Sequence, residues 1–235
     1  SVMFAGSLVG AFFIQILADR LGRKVTNLIT TIGMAVCCAM AVAAYFQHSI
    51  WLLAVSRFIM GFFMAISVGV VPVYISEISP DSHRGIISLS TALFIQMSIV
   101  VASVVAMPAL LGGRTTWWLL YATELVLFII VIVALFFLPD SPSYLISRGK
   151  TEAAAKSFYF YHGLTGEVLT KKVTDEAEIA SSSPPTVGIF SVFTKASMAL
   201  PTALGCIVMF GMIASGVVVI NAYAVQILQG VGLSQ

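Results

Sequence analysis

WWLLYATELVLFIIVIVALFFL, residues 117–138, is the stretch that decides the fold. It holds one charge, Glu124, and is apolar on every side rather than along one stripe. An α-helix rises about 1.5 Å per residue, so a block of this length can cross the ~30 Å hydrocarbon core of a bilayer. Pro139 and Asp140 close it.

Five more apolar blocks lie around it: Ser1 to Ala18, Val25 to Phe46, Ile50 to Ile75, Gly85 to Leu111, and one within Met198 to Leu228. The whole chain of 235 residues is 59% hydrophobic and 9% charged, with a mean hydropathy of +1.03. A soluble domain carries about a quarter of its residues charged. The reading is therefore an all-α integral membrane protein with six spans. Three segments are expected: five spans over residues 1–138, a polar linker over 139–197, and one further span over 198–235.

The loops orient these spans. Arg20, Arg23 and Lys24 fill the first loop, while Gln47, His48 and Ser49 form an uncharged second one. Glu77, Asp81, His83 and Arg84 occupy the third, and the fourth holds only Arg114. The long fifth loop carries Arg148, Lys150, Lys156, Lys171, Lys172 and Lys195. Basic loops face the cytoplasm, so the first, third and fifth are read as cytoplasmic. Trp51, Trp117 and Trp118 then fall at the outer interface, where indole rings are favoured.

Other signals exclude function classes. A net charge of +2 gives no footprint for nucleic acid. Cys37, Cys38 and Cys206 sit inside apolar blocks, without disulfide or metal-ligand spacing. No Asn-x-Ser/Thr sequon is present. The chain opens inside a hydrophobic run with no initiator Met and no charged n-region, so no signal peptide is read and the chain looks like a segment of something longer.

The fifth loop has structure of its own. Thr151 is expected to cap a helix through Lys156 that Gly163 stops. Glu167 to Ala180 reads as a second helix, broken by the Ser181–Pro185 run, and Ile189 to Phe193 as a short interfacial one.

Two charged clusters carry the functional signal. Asp19-Arg20-Leu21-Gly22-Arg23-Lys24 is compact and held between two spans, though ordinary positive-inside charge alone would look similar. The second runs from Pro72 through Tyr74, Glu77 and Pro80 to Arg84-Gly85. Pro72 can kink the helix end, and Glu77 and Arg84 are then expected to face each other across a short turn. With Arg57-x-x-x-Gly61 and Pro139-Asp140-Ser141-Pro142, these motifs resemble the sugar-porter family of the major facilitator superfamily, which includes the facilitative glucose transporters. Their order and spacing match over nearly the whole chain. The resemblance makes the six blocks the family's second to seventh spans, and the long loop its helical linker.

The resemblance implies a partial major-facilitator fold in which two halves rock about a midplane site. It assigns an inner-gate ion-pair network to Asp19, Arg20, Arg23, Glu77 and Arg84. Two charges lie deeper, Arg57 about seven residues (~10 Å) inside its span and Glu124 at similar depth. A charge at that depth faces the bundle interior and finds a partner. Two readings stand: Arg57 and Glu124 pair, or Arg57 bonds other polar groups while Glu124 is protonated or near the interface.

At the substrate site the sequence departs from the family. The glutamine of the span after the Arg-Gly turn is Ala92 here. The Gln-Gln pair and the asparagine of the seventh span are Met212, Ile213 and Val218. Of the two following aromatics, the first is Ala222 and only Tyr223 survives. The linker arginine is Ser143. Each hydroxyl left without a partner in a pocket costs about 1–3 kcal/mol. Gln96, one turn from Ala92, and Asn221, three residues after Val218, lie near the faces of the lost groups. Either could instead bond between helices. Gly211 and Gly216, with the β-branched run from Val217 to Ile220, fit either a helix that bends midway or close packing through small residues.

Enzyme chemistry has little support. Gly149-Lys150-Thr151 ends like a phosphate loop, but Tyr144 stands where its earlier glycine belongs. His48, His83 and His162 are scattered over loops. The expectation is a multi-pass membrane protein, in the plasma membrane ahead of an internal one, moving a small polar organic solute by alternating access. Sugar is the first candidate. No cofactor, metal or nucleic-acid partner is expected, the lipid bilayer is the surrounding partner, and the oligomeric state is open. The alternatives are a non-transporting sensor or regulatory protein on the same fold, or a transporter of a less hydroxylated substrate.

Overall fold

The structure is a computed structural model, describing residues 2–80, 82–107, 110–113, 115–182 and 196–216. Its helices are α1 (Val2–Ala11), α2 (Ile14–Leu21), α3 (Arg23–Phe46), α4 (Ile50–Ile78), α5 (Arg84–Val105), α6 (Trp118–Phe137), α7 (Pro142–Ser147), α8 (Thr151–His162), α9 (Gly166–Ser182) and α10 (Ala196–Ala214). No strand occurs among the described residues. The chain falls into two compact units, Ser1–Ser182 and Ser183–Gln235.

Helices α3, α4, α5 and α6 are long and apolar enough to cross a membrane. The first block, expected as one straight span, is broken: α1 and α2 meet at a 51° bend. At the break Phe12 N–H donates to Val9 O at 3.3 Å and Phe13 N–H to Gly10 O at 3.0 Å, a tighter i→i−3 turn. The Phe13 ring packs edge-on against Phe62 of α4. Of the expected sixth span, the second unit describes α10 with an apolar stretch at Thr202–Gly211; the remainder lies outside the described residues.

Close approach of small residues joins α1 to α4. A Cβ on Gly6 would stand 2.0 Å from Phe58 O, one on Gly10 2.3 Å from Phe62 O, and one on Gly61 2.0 Å from Met3 O. Ser7 Oγ donates to Gly61 O at 3.1 Å. Gly6 and Gly10 make the small-xxx-small spacing that lets membrane helices touch through their backbones. From Gly6 on Phe58 to Gly10 on Phe62 the contacts advance along both helices, so α1 and α4 run parallel.

Helix α3 is the central element. It buries Thr26, Asn27, Thr30, Cys37, Cys38, Ala41 and Ala44, packing on α4 and α6. Cys38 and Ala41 meet Tyr121, with Leu53, Met60, Leu125 and Phe128 around them. Helix α5 ends at Val105 rather than Leu111. Beyond it, Leu111 N–H and Gly112 N–H turn back to Val105 O and Met107 O.

The linker folds as three helices on one apolar centre of Ile146, Ala154 and Phe158, covered by Leu145, Leu169, Val173 and Ala177. Thr151 is the first residue of α8 rather than its cap; Lys150 holds the cap position. Gly163 stops α8 at φ +64°, the left-handed conformation glycine adopts at low cost. Helix α9 runs to Ser182, two residues into the Ser181–Pro185 run expected to break it. The expected helix at 189–193 lies outside the described residues.

Candidate functional site

The first signature loop is a two-helix corner. Gly22 joins α2 to α3 at φ +94°, ψ +163°, a region essentially reserved for glycine. A Cβ there would lie 2.6 Å from Tyr144 Cε1 and 2.8 Å from Asp140 Oδ2. The missing side chain thus seats the start of the linker directly on the corner.

Arg23, the first residue of α3, reaches across to α4. Its NH2 lies 3.0 Å from Glu77 Oε1, and its Nε donates to the same oxygen at 3.2 Å. NH1 donates to Ala18 O at 3.2 Å and sits 3.8 Å from Asp19 Oδ1. Arg23 and Glu77 are 17% and 18% exposed. Ser141, whose hydroxyl caps α7 with Pro142 at the first turn, donates to Glu77 Oε2. One carboxylate therefore joins α3, α4 and the linker.

Asp140 does the same through backbone. Its Oδ1 accepts from Lys24 N–H at 3.1 Å and from Ser141 N–H at 2.8 Å. Lys24 Nζ donates to Phe136 O. Arg148 of the linker donates to Asp19 O at 2.8 Å and Arg20 O at 3.0 Å, and Tyr144 OH to Arg20 O at 3.3 Å. These are the carbonyls a helix C-terminus leaves open, and cations there complement the helix dipole.

A second set of contacts docks α8 under α4. Tyr74 OH and Tyr161 OH both donate to Pro139 O, at 2.7 and 2.9 Å, and stand 2.8 Å apart. Ser157 Oγ donates to Asp140 O at 2.6 Å, and His162 Nε2 lies 3.1 Å from Ile78 O, at the end of α4. Burial pushes the Tyr161 hydroxyl up from its usual range, with Asp140 adding to the rise, so it remains a donor.

Of the five expected gating residues, the structure brings Asp19, Arg23 and Glu77 together. Arg20 contributes its carbonyl while its side chain is exposed. Glu77 faces Arg23 and Ser141 rather than Arg84. Both its oxygens are taken by groups from α3 and the α7 cap, and Arg84 begins α5 on an exposed face.

The deeper charges share one seam between α3, α4 and α6. The Arg57 guanidinium lies 4.9 Å from the Tyr121 ring centroid, and Cys38 Sγ donates to Glu124 Oε2 at 3.5 Å. Tyr121 and Glu124, three residues apart, are neighbours on α6. Each charge thus meets a soft, polarisable partner within the bundle. Gln96 lies on an exposed face of α5, one turn from exposed Ala92. Asn221 and Tyr223 lie outside the described residues.

Sequence reasoning missed Tyr144, Arg148, Tyr161 and His162, which act from far along the chain. The Ser141-Pro142 pair carried a capping signal for α7, and Gly6-x-x-x-Gly10 one for the α1–α4 contact.

The chain is similar to known proteins in sequence and in fold. The family model described as sugar (and other) transporter matches residues 1–235. Facilitated glucose transporter member 2 of solute carrier family 2 from Sus scrofa is 32% identical over 100% of this chain and 45% of its own length. Member 9 of the same family from Homo sapiens is 36% identical over 69% of this chain and 30% of its own. The Escherichia coli xylose transporter XylE, in a partially occluded inward-open conformation, superposes with a TM-score of 0.65 at 19% identity, over 77% of this chain and 46% of that one. The chain thus spans less than half the length of these relatives. The XylE likeness establishes the major-facilitator fold, and the full-length family match places this multi-pass membrane chain in the sugar (and other) transporter family.

Proposed function

We propose that the protein moves a polar organic solute, a sugar first among candidates, across a membrane by alternating access. The observation that carries this reading is the Arg23–Glu77–Ser141 contact, which ties α3, α4 and the linker start at the basic end of the bundle. Partly exposed ion pairs contribute about 0–1 kcal/mol, a strength suited to a contact made and broken in every cycle. In this reading residues 1–138 are one half-bundle, 139–197 a cytoplasmic linker and 198–235 the start of the second half. Glucose transporters and a xylose transporter among the relatives support sugar as the solute class. Gln96, Asn221 and Tyr223 are assigned to the solute path. Asp19, Arg20, Arg23, Glu77 and Arg84 are assigned to the inner gate, and Arg57 and Glu124 are assigned as intramembrane charges of the seam between α3, α4 and α6. No covalent chemistry, cofactor or nucleic-acid partner is assigned, and the plasma membrane is the proposed location.

The test is uptake by the full-length protein in proteoliposomes, using labelled D-glucose, D-fructose and D-xylose beside a polyol and an organic anion. Saturable hexose or pentose uptake that falls several-fold in Glu77→Gln supports the reading. Folded protein that moves none of the panel overturns it.

A further inference from the structure

Arg23 has a long, rotatable side chain, and something must hold its guanidinium against Glu77. Four residues close a ring. Arg23 pairs with Glu77; Glu77 accepts from Ser141 Oγ; Ser141 Oγ accepts from Tyr144 N–H at 3.4 Å; and the Arg23 guanidinium lies 5.4 Å from the Tyr144 ring centroid, within cation–π range. The ring itself is located from three sides. Its hydroxyl donates to Arg20 O, Arg148 lies 5.5 Å from its centroid, and the absent side chain of Gly22 leaves its space. Arg23, Ser141 and Gly22 thus connect Tyr144 directly to the ion pair or to its chain neighbour.

We propose that Tyr144 is a positioning residue of the inner latch: it holds Arg23 in register with Glu77, and so sets how the latched and unlatched conformations are populated. The consequence for transport rests on the function proposed above. A residue that merely filled space would alter the amount of folded protein; a positioning residue alters the balance between conformations and acts through the pair.

The experiment reads that balance without needing the solute. Gln96→Cys is introduced into full-length protein carrying Cys206→Ser. Its alkylation by a membrane-impermeant maleimide, applied from the basic face, is timed in liposomes. Glu77→Gln is expected to raise the rate by ~10-fold and Tyr144→Leu by ~3- to 10-fold, the range of one cation–π contact. Tyr144→Phe, which keeps the ring, is expected to match the parent. The double variant Glu77→Gln/Tyr144→Leu is expected to be no faster than Glu77→Gln, because both changes remove one interaction. A parent-like rate in Tyr144→Leu beside a raised rate in Glu77→Gln overturns the proposal alone, as do additive effects in the double variant. A parent-like rate in Glu77→Gln overturns the latch itself. If Tyr144→Leu does not assemble, Tyr144→Met decides: it leaves Arg23 and Glu77 intact and loses the aromatic face, so a raised rate supports the proposal and a parent-like one overturns it.

Discussion

Helices α3 and α5 look alike as sequence: 24 and 22 residues, both apolar enough to cross a membrane. Yet α3 buries a continuous face of small and hydroxylated side chains, whereas no described residue of α5 is buried. Hydropathy records the solvent a helix enters but not its neighbours. The buried face of α3 is mostly Thr, Ala and Cys, with Asn27 and Met34 among them, and is small enough for α4 and α6 to come close. The faces of α5 carry Leu, Ile, Val and Phe, with Gln96 among them. Among the described residues α3 is the buried scaffold and α5 the exposed helix.

That contrast can be broken experimentally. The largest effect is expected where α3 begins: Gly22→Ala meets backbone strain of about 1–3 kcal/mol and a clash with Tyr144 and Asp140. Loss of most folded protein in detergent melting is the expected result, and a parent-like Tm would mean the corner can rearrange. Next, Cys38→Phe, at 0% exposure in α3, should overpack the seam with Tyr121 by about 1–3 kcal/mol. Leu93→Phe, 67% exposed in α5, should change stability by less than about 0.5 kcal/mol. Equal losses would show that α5 is covered by protein in the membrane. A smaller effect is expected from Thr30→Val, which removes the buried hydroxyl bond to Asn27 O, at about 1 kcal/mol. The smallest is Gln96→Leu: melting unchanged within about 0.5 kcal/mol, while solute uptake drops by ~5- to 30-fold if one hydrogen bond to the solute is lost. Loss of stability without loss of uptake would remove Gln96 from the solute path.

Much of the fold was legible in the sequence because membrane solvent imposes a strong local constraint. Residues 117–138 announce a span unaided, and Gly163 stops α8 as its residue type dictates. The bend between α1 and α2 was not legible. It uses neither proline nor glycine at Phe12 and Phe13, and depends on where Phe62 of α4 receives an aromatic ring. At the basic end, Arg23 and Glu77 stood out as charges, but their setting did not. Tyr144 and Arg148 reach Arg20 from more than a hundred residues away, a separation at which no spacing rule operates. The expected facing of Glu77 and Arg84 fails for a related reason: closeness in sequence suggested a partner for Glu77 that Arg23 and Ser141 supply from elsewhere.

Where the linker meets the bundle, most of the acceptors are main-chain carbonyls. Arg20, Ile78, Pro139 and Asp140 offer their C=O groups, while Tyr144, Arg148, His162, Tyr74, Tyr161 and Ser157 bring the side chains. A carbonyl is the same in every residue, so half of this joint is indifferent to mutation. The other half can be exchanged one donor at a time for any side chain that reaches. Such a joint can drift far in sequence while its mechanical connection persists, and an engineer wishing to loosen or retune it should change donors and leave the acceptor backbone alone.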